Sequence, residues 1–199
     1  MVKITVMRIA FYSLLMLIAV APAGAQRPAE DAFSSARARQ PKTVHEFFNL
    51  LPQKYFMLEG CAAKPTKKNC DTVRADYLKH YLEVEDVANG YMRGGCDGAQ
   101  SCFHMALFRR PDGTYVVGLT TAFELGENSY FLEYTGGRWH DVGPQVVPGY
   151  GEDKVYELPR YGTTVEVYEN KRVTGEAYRE RGRKLYKLAW KNGAFTIER

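Results

Sequence analysis

The chain has 199 residues and a formal net charge of +4, with Lys+Arg 27 against Asp+Glu 23; 45% of its residues are hydrophobic and 25% charged. That balance excludes a disordered polyelectrolyte and gives no basic excess of the kind that tracks nucleic acid. The length suits one domain able to bury a core.

Residues 1–25 read as an export signal. Lys3 and Arg8 flank the start, Ile9 to Ala21 is apolar, and Ala23-Gly24-Ala25 supplies a small-residue cleavage site, so cleavage is predicted after Ala25. The apolar run is shorter than the ~20 residues a bilayer span needs, and no second run approaches that length, so no membrane span is expected. The predicted mature chain, from Gln26, is periplasmic or secreted. Losing Lys3 and Arg8 lowers its charge to about +2, which names no partner. Residues 26–42 are rich in Gln, Arg, Ala and Pro and are expected to form a flexible leader, leaving residues 43–199 as a single globular domain.

Thr43-Val44-His45-Glu46 matches a capping box, followed by Phe47, Phe48, Leu50 and Leu51 and stopped by Pro52. A second helix is predicted from Asp71 as N-cap to about Leu82, with Val73, Tyr77 and Tyr81 at four-residue spacing. Beyond Leu82 the period becomes alternating. Asn89-Gly90 signals a hairpin, and Phe103, Met105, Leu107 then Tyr115, Val117, Leu119 read as strands about Pro111-Asp112-Gly113. Further strands are predicted at 130–134, 138–142, 163–168, 184–190 and 194–197. Three hairpins place aromatics around a glycine turn, Phe108 with Tyr115, Tyr134 with Trp139 and Trp190 with Phe195, and are expected to act as cross-strand staples. The fold class is therefore α+β: an antiparallel β-meander of about six to eight strands with two short N-terminal helices.

The four cysteines, Cys61, Cys70, Cys96 and Cys102, predict two disulfides in an oxidising compartment. Loop closure favours the local pairs, Cys61 with Cys70 and Cys96 with Cys102. A four-thiolate zinc site is disfavoured because neither interval is a tight Cys-x2-4-Cys knuckle, so no metal and no cofactor is expected.

Catalytic motifs are not legible. His45-Glu46-Phe47-Phe48-Asn49 lacks the second histidine of a metalloprotease helix, and nucleotide and serine-hydrolase turns do not occur. His80, His104 and His140 lie near carboxylates in sequence without defining a geometry. Two segments are candidates for interaction: the 143–153 loop with Val146, Val147 and Tyr150, and the basic segment with Arg179, Arg181 and Arg183, suited to a protein or an anionic envelope polymer. The expected function is noncatalytic binding of a protein or cell-envelope component. The alternative is an envelope hydrolase built on carboxylates at Glu124, Glu127 and Glu133.

Overall fold

A computed structural model of the chain describes residues 40–62, 67–96, 101–123, 126–173 and 179–198. The predicted signal segment, most of the leader and Glu124 lie outside the described residues.

Helix α1 (Val44–Leu50) starts on the capping box foreseen in the sequence. Thr43 Oγ1 accepts from the Glu46 amide at 3.2 Å, and Glu46 Oε2 accepts from the Thr43 amide at 3.2 Å. A short helix α2 (Glu59–Ala62) follows, and then α3 (Lys67–Tyr81), which begins earlier than Asp71. Asp71 sits inside α3 and pairs with Arg74 at 3.7 Å instead of capping it. Arg74 takes over the orphan carbonyls at the end of α1: Nη1 donates to Asn49 O at 2.9 Å and Nη2 donates to Leu51 O. Cys61 and Cys70 join α2 to α3, and Cys96 joins Cys102, both as the local pairs predicted.

The strands are antiparallel and form two sheets. The first is a six-stranded meander, β1 (Leu82–Asp86), β2 (Tyr91–Gly94), β3 (Cys102–Arg109), β4 (Tyr115–Phe123), β5 (Gly126–Thr135) and β6 (Arg138–Asp141). After a single-turn helix α4 (Gly143–Val146) comes the second, β7 (Lys154–Glu157), β8 (Thr164–Arg172), β9 (Arg179–Lys191) and β10 (Ala194–Glu198), in the order β10-β9-β8-β7. The α+β class and the meander hold; the meander is divided, and β7 was not foreseen.

Layering follows from the period-2 alternation of strand side chains. Met92, Phe103, Met105, Val117, Leu119, Leu132 and Tyr134 share one core with Val44, Phe47, Phe48 and Tyr77 of the helices. Tyr91, Ala106, Phe108, Val116 and Phe131, on the opposite face of the same strands, share a second core with Tyr156, Val165, Val167, Leu188 and Phe195 of the second sheet. The first sheet is thus covered on both faces. At Gly118 the packing is tight: a Cβ there would lie 2.8 Å from Leu158 Cδ2 and 3.0 Å from Phe108 Cε2.

Two of the three aromatic staples form as cross-strand pairs, Tyr134 opposite Trp139 at 5.3 Å between rings and Trp190 opposite Phe195 at 4.8 Å. The third does not. Register places Tyr115 opposite Arg109 and Phe108 opposite Val116, so Phe108 turns to the inter-sheet core while Tyr115 packs against Phe47. The Asn89-Gly90 hairpin also differs from a two-residue turn: Asp86 pairs with Tyr91 across four residues, and the Asp86 carboxylate accepts from the Asn89 amide at 3.2 Å. The side chain of Asn89 adds a second donor to Asp86 at 3.0 Å, and with Arg160 these bonds hold the Asp86 carboxyl below its ordinary range.

Candidate functional site

The 143–153 loop packs inward. Val146 is 6% exposed and Val147 3%, both within the inter-sheet core, so neither offers an interaction surface; the sequence reading of these two residues is corrected on that ground. The physical reason is α4: Pro144 in its first turn and the bond from the Val147 amide to Gly143 O fold the loop into a turn whose apolar side faces β5.

Tyr150 is placed differently. Its hydroxyl donates to Ser129 O on β5 at 2.8 Å, and its ring lies 6.2 Å from Phe131 and 5.7 Å from Tyr156. Gly143 makes that seat possible, because a Cβ at 143 would come within 2.6 Å of the Tyr150 ring. Half-burial, with the Asp141 charge nearby, raises the Tyr150 hydroxyl pKa and keeps it a donor.

The same seat closes one side of a recess of about 170 Å³ lined by Glu127, Asn128, Ser129, Tyr130, Asp141, Tyr150, Gly151, Glu152 and Lys154. It joins a residue from the predicted interaction loop, Tyr150, to one from the predicted carboxylate group, Glu127. The charges are unequal. Lys154 Nζ is matched by the neighbouring Asp153 carboxylate at 2.9 and 3.0 Å. Glu127 is shared with Arg181 at 3.3 Å, and Asp141 accepts the Gly143 amide at 2.9 Å. Glu152 lines the recess as an exposed residue, and its backbone carbonyl accepts from Asn170 and Arg179. Burial, and then the Asp141 charge, raises the Tyr130 hydroxyl as well. Two phenol rings and an excess of carboxylate therefore frame one small opening.

Glu127 and Glu133 do not form a catalytic pair. They lie six residues apart on β5, which at ~3.4 Å per residue puts them about 20 Å apart, well beyond the ~5 to 9.5 Å that flanks a glycosidic bond. Glu133 is instead held by Arg110 at 2.7 Å, at the far end of the strand.

The arginines of β9 each meet an acceptor. Arg181 bonds Glu157 at 3.0 Å as well as Glu127, Arg183 bonds Glu169 at 2.6 Å, and Arg179 Nη1 donates to Glu152 O at 2.8 Å. Carboxylates on β5, β7 and β8 thus meet Arg181 and Arg183, whereas Arg179 meets a backbone carbonyl, and the Arg183 side chain remains 80% exposed.

His104, on β3, was not separated from the other histidines by sequence. The structure puts it between the sheets with Nδ1 3.2 Å from the Tyr91 hydroxyl and Nε2 3.6 Å from Cys96 Sγ. Burial, reinforced by Arg93 and Arg181, pushes its pKa down to about 4. Along the same row, Thr120 sits opposite His104 and Ser129 opposite Thr120, and Thr120 Oγ1 donates to Tyr156 O at 2.8 Å across the sheets.

No protein-family model matches the chain, and no curated protein matches it. One solved structure, a domain of an uncharacterized protein from Porphyromonas gingivalis W83, is similar at 12% identity and a TM-score of 0.43 over 79% of this chain and 99% of that one. A likeness of that size carries no functional argument. Among the described residues, no helix is long and apolar enough to cross a membrane.

Proposed function

We propose that the chain is an exported, noncatalytic binding module that receives a cationic group, an ammonium or guanidinium displayed by a protein or cell-envelope component, in the recess between β5 and the 143–153 loop. The observation that carries this reading is the composition of that recess: Glu127, Asp141 and Glu152 with Tyr130 and Tyr150, and one lysine already matched by Asp153. Carboxylates attract a cation and phenol rings add cation–π attraction of ~0.5 to 2 kcal/mol. The recess, about 170 Å³, falls below the ~300 to 1,000 Å³ of sites for drug-sized ligands, so it suits one protruding group of a larger partner. Export is supported by the composition of residues 1–25 and by two disulfides.

An anionic polymer is less well matched, because three carboxylates and a single lysine, itself paired with Asp153, line the recess. Binding of a lysine-rich peptide, an arginine-rich peptide and a polyglutamate peptide to the mature chain tests the reading. The expected result is salt-sensitive binding of the cationic peptides that weakens at least tenfold, about 1.4 kcal/mol, in the Glu127→Gln/Glu152→Gln variant. Equal binding by that variant, or preference for polyglutamate, overturns it.

A further inference from the structure

Cys96 follows β2 and Cys102 opens β3, and their bond closes a six-residue separation. His104 lies two positions along β3 from Cys102, on the same face by strand alternation. Among the described residues, the two sulfurs and a ring nitrogen of His104 come within 4.8 Å of one another, and Cys96 Sγ is 3.6 Å from Nε2. That last distance equals the edge of a tetrahedral site: bonds of ~2.3 Å to sulfur and ~2.0 to 2.1 Å to nitrogen put the two donors roughly 3.6 Å apart. The Tyr91 hydroxyl at Nδ1 orients the ring so that Nε2 faces the sulfurs, as an outer partner of a metal-bound imidazole does. Cys96 also lines an open pocket of about 290 Å³ with His80, Tyr81, Leu82 and Glu83, which supplies an entry path.

We propose that the Cys96–Cys102 bond gates a metal site: when reduced, the two thiolates and the His104 imidazole bind a borderline or soft cation, Zn²⁺ or Cu⁺, with the remaining position open toward the pocket. An external dithiol supplies two electrons and two protons to the disulfide and is itself oxidised to a disulfide. The two thiol protons pass to solvent as the cation binds. The sulfurs have to part, to roughly 3.8 Å in a tetrahedral site, and Cys102 Sγ has to close on the imidazole from the 4.8 Å within which the set now lies.

Cobalt(II) added alone to the full chain reports on this. A Cys61→Ser/Cys70→Ser variant confines the redox change to the second pair. The reduced variant is expected to bind one cobalt per chain with a thiolate-to-cobalt charge-transfer band, the oxidised form to show none, and His104→Ala to weaken binding at least tenfold. Zinc should bleach the band by competition. The proposal is overturned by a reduced protein without the band, by a band indifferent to His104→Ala, or by one that persists in Cys96→Ser/Cys102→Ser. Circular dichroism follows the fold throughout, and a reduced chain that unfolds and is not restored by cobalt also overturns it.

Discussion

Val147→Ala distinguishes a core valine from a displayed one. Val147 is 3% exposed within the inter-sheet core, and truncation removes two buried methyl groups, worth about 1.6 kcal/mol of transfer free energy. The cavity left behind raises the loss to roughly 2 to 3 kcal/mol, because β5 and the second sheet collapse only partly onto it. The assay is urea unfolding of the disulfide-intact chain. With a slope of about 2 kcal/mol per molar, the midpoint should fall by about 1 M. Ile197→Ala serves as the control, since Ile197 is 47% exposed and its truncation should stay within about 0.5 kcal/mol. A Val147→Ala midpoint that matches the Ile197 control would refute the burial argument and return the loop to the list of displayed surfaces. Loss of a partner in a valine variant should accordingly follow loss of fold, which is why the peptide test uses Glu127 and Glu152.

The pH dependence of stability should carry a signature of His104. Its folded pKa, about 4, lies below the ordinary ~6.5, so the unfolded chain binds the proton more readily. The contribution is fully present above ~6.5 and is lost as pH falls through about 4, amounting to up to ~3 kcal/mol; urea midpoints across that window should flatten in His104→Gln. Thr120→Val removes the bond to Tyr156 O that ties the sheets, and should cost about 1 kcal/mol in the same assay. Gly118→Ala should cost ~1 to 3 kcal/mol by forcing a methyl against Leu158 and Phe108, whereas an unchanged midpoint would mean the sheets are further apart than described. Arg181→Ala takes a partner from Glu127, so a lysine-rich peptide should bind a few-fold tighter at low salt; weaker binding would place the peptide elsewhere.

Local signals were read well and long-range ones were not. The capping box at Thr43 and Glu46 involves four consecutive residues, so its geometry is contained in its sequence. Asp71 carries the same kind of local signal and was misleading, because Arg74 and the Cys61–Cys70 bond bind α3 to its neighbours and the helix runs past that capping residue. The second sheet had a legible cue that alternation obscured. Phe103, Met105 and Leu107 alternate, yet Ala106 and Phe108 fill the intervening positions, and Val116 to Ala122 holds no charged residue. Such runs mark strands buried on both faces, whereas a meander with helices on one side alone leaves a polar outer face. β7, only four residues long, gave too short a pattern.

The same double burial decides where chemistry can sit. With helices on one face of the first sheet and the second sheet on the other, polar groups within the layers survive only where they find partners, and the row from His104 through Thr120 to Ser129 shows how. Thr120 is satisfied by Ser129 and by Tyr156 O, in the middle of the row. The row's two ends meet different surroundings. At one, His104 meets a sulfur and a phenol; at the other, Ser129 and Tyr150 border the recess. Neither cluster could be assembled from spacing along the chain, since Glu127, Asp141 and Tyr150 meet only after the β5–β6 hairpin and α4 have returned the chain to the start of β5. Sequence named Tyr150 and Glu127 for separate reasons, and the fold supplies the connection between them.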